Sequence, residues 1–495
     1  MNATRTRIAL PAAGLLLLGA YLVATARIPM WRYFGARGIT VDFVYMLGPD
    51  WERATVEYVA LVALTFGAYL GAVAIVWRAW QQPPWWLVMG FAALFALALV
   101  PMYPPTAVDM FHYHAMARIA WVFGANPLIT PQGDFPYPIG MSWSELPSPY
   151  GPLWSLLTGP AAVIPRLFAD DVPIGLYAFK AMGALSVLAT AGMIWRIVGR
   201  MAPGQQALAT LLFAWNPFVL LRIVGNGHNE LWMMLPVLIA LECVQRRWWV
   251  LAIEALTLSV LVKFATALLG PPLLLYIWMH ADGDARTRLR LIARAGAVAA
   301  ITAALAYAPF FEGRATFAML SVQSTLMITS TPLLLELFLQ QIAYLGWNDP
   351  ARAADDARWI TRLAFLLVYP TLVWHARRDF RHLVTLSFTI LFLYLLVASS
   401  WYRPWYMVWP VTLAALRPRS WLTPVLLAAT LGGAFPDLIE QFRGHWPWLA
   451  EYTRAIAAPV VVAFVPPLLF WLYGLALTGE WGLESSAERE SAAHR

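Results

Sequence analysis

Residues 56–77 read VEYVALVALTFGAYLGAVAIVW, a run of 22 residues whose single charge is Glu57. A helix of that length covers about 33 Å, enough to cross the ~30 Å hydrocarbon core of a bilayer. Arg78 follows at once, as a basic residue does at the cytoplasmic end of a span. The same pattern recurs along the chain. Apolar stretches near 8–26, 85–103, 174–195, 206–221, 231–244, 250–262 and 265–278 precede others near 291–310, 359–374, 383–399, 404–416, 422–435 and 456–477. The expectation is an all-α polytopic membrane bundle of about 13–14 transmembrane helices, with outer-face loops and short interfacial helices.

Composition agrees. Of 495 residues, 60% are hydrophobic and 12% charged. A water-soluble chain of this size would leave large apolar patches exposed. The formal net charge of +7 is spread over short clusters between apolar runs, with no long basic face, which speaks against nucleic acid as a partner. The 26 Trp and 19 Tyr suit interfacial belts. Cys243 is the single cysteine, so an internal disulfide and a multi-cysteine metal site are excluded. The run 8–25, which follows Arg5 and Arg7, reads as a retained first span rather than a cleaved leader.

Arginine placement sets the orientation. With the N-terminus inside, the cytoplasmic loops carry Arg78, Arg196 and Arg200, Arg246 and Arg247, and Arg286 to Arg294. Further along they carry Arg377 to Arg381, and Arg417 with Arg419. This alternation requires that 151–167 lie on the membrane or re-enter it rather than cross it. One transmembrane domain then fills 1–479, including an outer loop at 104–150 and an outer segment at 311–347. The polar tail 480–495 is expected to be cytoplasmic and disordered.

The unusual sequence gathers on the outer side. Asp109 opens VDMFHYHAMARIAW just past a span, and on a helix Asp109, His112 and Tyr113 share a face. One reading is an anchored carboxylate paired with Arg118. The other is a general base, since a carboxylate partly buried among aromatics can take a proton from a hydroxyl. The turn GNGHNE offers Asn226, His228, Asn229 and Glu230 between two apolar runs, either as a capped loop or as a polar ligand site. Lys263 interrupts LVKFATALL and either snorkels or meets a phosphate. Arg403 stands among Trp401, Tyr402, Trp405 and Tyr406, which suits an aromatic belt or a phosphate held by stacked rings.

Taken in order, these motifs resemble the membrane glycosyltransferases of the C-type fold. They are most similar to the polyprenol-phosphomannose-dependent alpha-mannopyranosyltransferases of bacterial envelopes. The resemblance rests on Asp109 with Tyr113, Arg118 and Asn126-Pro127, and on Pro149-Tyr150-Gly151-Pro152-Leu153-Trp154. It rests also on Asn216-Pro217, Gly227-His228-Asn229, Lys263 and Trp401-Tyr402. The chain departs from the family pattern at Glu230, Leu128 and Ala117, where the family tends toward Asp, Tyr and Gly.

The resemblance implies an integral enzyme of the inner membrane with its active site facing outside. Its partners would be a polyprenyl-phosphate sugar donor and a glycan or glycolipid acceptor, and no metal or other cofactor is expected. It implies Asp109 as the base, with Lys263, Arg403, Arg222 and His228 at the donor phosphate. His112, Tyr113, Arg118, Tyr150, Asn229, Glu230, Trp401 and Tyr402 would line the sugar or acceptor. Intramembrane charges are equally a mark of a transporter or lipid flippase, which is the rival class. Two sequence features oppose that rival: the halves show no internal repeat, and the polar residues gather toward one face.

Overall fold

The computed structural model describes residues 3–31, 51–79, 82–137, 143–344, 349–442 and 445–478. The expected tail 480–495 lies outside them, as do parts of both expected outer segments. Helices make up the regular structure of the described residues, joined by two isolated bridges, Pro29 with Met102 and Ile328 with Trp401.

Among the described residues, seven helices are long and apolar enough to cross a bilayer. They are Ile8–Arg27, Glu52–Trp77, Val172–Met201, Ala285–Phe310, Phe380–Ala398, Leu422–Gln441 and Tyr452–Leu477. A bent pair, Gln206–Ala214 and Pro217–Gly225, would make an eighth. Trp85–Leu99, Trp249–Val262 and Phe264–His280 are apolar but shorter. The larger number expected from apolar runs thus resolves into full spans, a broken span and partial helices. Hydropathy registers an apolar run but not the prolines and glycines that divide it.

Asn216-Pro217 shows how a run is divided. Proline lacks the N–H that would continue the preceding helix and suits the first turn of the next. Asn216 caps that new helix, its side-chain oxygen accepting from the Phe218 N–H at 3.0 Å. The 48° bend is fixed from outside as well. The Tyr69 hydroxyl donates to the Leu212 carbonyl at 2.8 Å, and Trp215 Nε1 donates to the Val88 carbonyl at 2.9 Å. The segment 151–167 behaves alike. It breaks into Pro152–Leu157, Gly159–Val163 and the 3₁₀ turn Ile164–Phe168, each with proline in its first turn. No single piece is long enough to span a bilayer.

The chain divides into two compact units. The first comprises Met1–Cys243, Val250–Ala267 and Ala293–Thr325; the second comprises Val244–Trp249, Leu268–Ile292 and Leu326–Arg495. In the first unit the Ala3–Arg27 helix packs on Trp51–Trp77 and Trp85–Leu99. Gly14 permits that closeness, since a Cβ there would stand 2.7 Å from the Phe91 ring. Asn126 in the first expected outer loop donates to the Phe310 carbonyl at 2.8 Å and to Glu312 at 3.0 Å, joining that loop to the start of 311–347. In the second unit Leu422–Gly432 packs on Tyr452–Thr478, with Gly432 against the Val462 carbonyl.

Candidate active site

The Asp109–Trp121 helix carries Asp109, His112, Tyr113 and Arg118 of the candidate site. Asp109 lies in its first turn, half-buried, where the unpaired N–H groups and the helix dipole favour a carboxylate. One turn on, Tyr113 is 1% exposed and accepts a hydrogen bond from the Tyr150 hydroxyl at 3.2 Å. Burial pushes the Tyr113 phenol well above its ordinary range, and the charges of Tyr150, Asp109 and Glu230 push it the same way. Asp109, Tyr113, Tyr150 and Glu230 therefore form one electrostatic neighbourhood.

Glycines bring the remaining pieces in. The Gly151 N–H donates to the Val262 carbonyl at 3.0 Å, and a Cβ on Gly151 would sit 2.1 Å from the Leu261 carbonyl oxygen. This backbone contact sets Tyr150 beside Lys263, whose ammonium lies 5.5 Å from the centre of the Tyr150 ring. Lys263 donates to Glu230 at 2.8 Å, and Glu230 is fully buried. Gly227, at φ +78°, turns the chain tightly against the Asp109 helix, where a Cβ would meet Met110 Sδ at 2.7 Å.

The GNGHNE segment is no ordinary loop: every residue from 207 to 231 is buried. Arg222, expected at a phosphate, donates to the Thr106 hydroxyl at 2.5 Å. Asn226 clasps the same threonine twice, donating to its hydroxyl at 2.9 Å and accepting from its N–H at 3.2 Å. His228 and Asn229 are each 1% exposed, and the Asn229 amide has no partner among the described residues.

Other expected residues sit elsewhere. Arg118 is not Asp109's partner. It makes a two-pronged ion pair with Asp170 at 2.6 and 2.7 Å, and that bond holds the Asp170 carboxyl below its ordinary range. Asp170 and Ala169 both take left-handed backbone to reach it. His112 meets Gln132, while His114 shares a 2.9 Å hydrogen bond with Tyr137. No group of three or more His, Cys, Asp or Glu side chains able to hold a metal occurs among the described residues.

Trp401, Tyr402 and Arg403 belong to the second unit. Arg403 pairs there with Glu440 at 3.0 Å and Asp437 at 3.9 Å, with Trp405 beneath it. Tyr402 is fully buried against Phe464, and Trp401 bridges to Ile328.

The two histidines give a pH dependence. Burial lowers His112 from its ordinary 6.5 to about 4. Burial, with the Arg118 charge adding to it, lowers His114 to about 3. The unfolded chain therefore binds protons at these sites below about pH 6.5 while the folded chain does not, so stability falls as pH drops through that window. The Asp170 pair loses strength in the same direction. Melting temperature in detergent should decline from pH 6.5 to 4, and less steeply in His112→Gln. A flat profile would contradict the burial of these rings.

Sequence reading passed over Lys180, Thr106 and Asp170. Lys180 is one of two lysines in the chain and lies inside a 30-residue span, a signal that was there to be read.

Comparison with known proteins bears on this unit. The chain is 26% identical to alpha-(1->6)-mannopyranosyltransferase A of Corynebacterium glutamicum over 118 residues, which is 24% of either chain. The chain thus matches about a quarter of that relative's length. A family model described as alpha-(1->6)-mannopyranosyltransferase, N-terminal domain, matches residues 12–280, a region that takes in Asp109, Tyr150, Glu230 and Lys263 but not Arg403. That match covers more than half of the 495 residues, and this helical membrane protein belongs to the alpha-(1->6)-mannopyranosyltransferase family.

Proposed function

We propose that the protein is a membrane mannosyltransferase that moves mannose from a polyprenyl-phosphate donor to a glycan or glycolipid acceptor on the extracytoplasmic face. Family membership supports the sugar and the reaction class. The observation that carries the rest is the convergence, within one unit, of Asp109 with the Tyr113–Tyr150 pair and the Lys263–Glu230 pair.

In the proposed reaction an acceptor hydroxyl approaches Asp109. Its proton passes to the carboxylate while its oxygen bonds to the anomeric carbon. The bond from that carbon to the phosphate oxygen breaks, and polyprenyl phosphate leaves with the electron pair. A single displacement inverts the anomeric centre. Lys263, held by Glu230 and the Tyr150 ring, stabilises the charge that grows on the leaving phosphate. The reading needs no metal for that role. Protonation of the carboxylate would remove the base, so the acid side of the rate profile should report it.

The direct test supplies purified protein with radiolabelled polyprenyl-phosphate mannose and mannan or glycolipid acceptors. Transfer to acceptor, with the linkage found inverted, is expected. Use of a nucleotide sugar in place of the lipid donor would overturn the donor assignment.

Sidedness has its own test. Asp134 and Pro203 are both exposed, and the arginine asymmetry puts them on opposite sides of the membrane. In a Cys243→Ala background, Asp134→Cys should react with an impermeant thiol reagent from outside, and Pro203→Cys should react after the membrane is opened. The reverse pattern would move Asp109 to the cytoplasmic side.

A further inference from the structure

Lys180 lies within the Val172–Met201 span and is fully buried. A lysine there is costly unless it has partners and a task. Its ammonium donates to two backbone carbonyls, Val224 at 3.0 Å and Gly225 at close range. Those carbonyls end the π-helical turn Leu221–Gly225. The last carbonyls of a helix have no partner within it, and the dipole there favours a donor of positive character. Lys180 thus caps this turn from a neighbouring helix. Gly183, one turn further along, lets the two backbones touch, since a Cβ there would stand 2.6 Å from the Ile223 carbonyl oxygen.

The turn then holds the catalytic helix. Arg222 lies within it and Asn226 directly follows it, and both grip Thr106 as described above. Thr106 is three residues before Asp109. Gly227 presses on Met110, the residue after Asp109. The start of the Asp109 helix is therefore fastened on both sides of the carboxylate to a turn whose own end is fastened by Lys180.

We propose that Lys180 is a positioning residue for Asp109, acting through the Leu221–Gly225 turn and Thr106. This rests on the reading of Asp109 as the base. Displacing a reacting group by about 1 Å can cost on the order of 100-fold in rate. Loss of the cap should therefore appear in turnover and in the order of the 104–110 backbone, with donor binding largely kept.

The experiment compares wild type, Lys180→Met and Thr106→Val, each alone and combined. Transfer kinetics are normalised to folded protein, and hydrogen exchange is followed across 104–110 and 222–229. Lys180→Met should lower kcat by about 10- to 100-fold while KM for the donor stays within a few-fold. It should speed exchange at the Thr106 amide. The double variant should be little worse than either single one, because both act through one link. Lys180→Arg should recover part of the rate.

Unchanged exchange at 104–110 would overturn the linkage, and faster exchange with normal turnover would overturn its catalytic consequence. Additive losses in the double variant would also overturn it. If Lys180→Met does not fold, Thr106→Val carries the same test from the other end, with slower turnover and faster exchange expected and wild-type values overturning the link. Should wild type transfer no mannose at all, the functional reading fails. The exchange data still decide the linkage in that case.

Discussion

Asp109→Asn is expected to lower turnover per folded molecule by about 100- to 10,000-fold while leaving the melting temperature near that of the parent protein. The amide keeps the size of the carboxylate and can still accept hydrogen bonds at the head of the Asp109–Trp121 helix. What it cannot do is take up a proton from an attacking hydroxyl. A carboxylate that served only to complement the helix dipole would give the opposite result, a loss of less than about 1 kcal/mol of stability with turnover intact. Transfer rate and thermal stability measured on one preparation separate the two. Normal turnover in Asp109→Asn would remove the base from this position and leave Glu230, close by on the charge map of Tyr113, as the next candidate.

Gly151→Ala should be the most damaging small substitution in the site. Gly151 has φ −72°, so backbone conformation is no obstacle to alanine. Space is. The added carbon would stand 2.1 Å from the Leu261 carbonyl oxygen and 2.7 Å from its carbon, both backbone atoms that cannot swing aside. The two strands of chain must separate, weakening the Gly151–Val262 hydrogen bond and carrying Tyr150 away from Lys263. Overpacking of this kind typically costs about 1–3 kcal/mol.

A displaced Tyr150 should also reduce transfer by the folded fraction, since a shift of about 1 Å is enough to slow a reaction on the order of 100-fold. Gly90→Ala is the control. It lies in the Trp85–Leu99 helix with nothing within 4 Å of the added carbon, and should be neutral or stabilising by up to about 1 kcal/mol. Equal melting temperatures for Gly151→Ala and the parent would refute the close approach.

The comparison of sequence and structure turns on particular residues. Apolar run length and arginine spacing were enough to read a helical membrane bundle, because the bilayer demands both locally. The arginine spacing alone suggested that 151–167 lies on the membrane or re-enters it, and the structure shows that segment divided into short pieces, each with proline in its first turn. Asp109 and Lys263 stood out in the sequence as candidates because ionisable groups beside apolar runs are costly without a role or a partner, whereas Tyr150 was marked only by the family resemblance.

Pairing was not legible. Arg118 faces Asp170, 52 positions away, and not Asp109, nine positions before it on the same helix. Glu230 holds Lys263 across 33 positions. Arg222 and Asn226 both hold Thr106. Which charge meets which depends on how helices pack, and packing here is set by contacts such as Gly151 on Leu261 and Gly183 on Ile223. Those contacts depend on the absence of a side chain, which carries no pattern along the chain. Sequence by itself therefore determined the solvent, the helical architecture and the inventory of reactive groups. The tertiary structure alone decided that Lys180 is a helix cap, that the GNGHNE turn is interior, and that Glu230 pairs with Lys263. The physical reason is that spanning is a property of a single segment in its solvent, whereas partner choice is a property of two segments in contact.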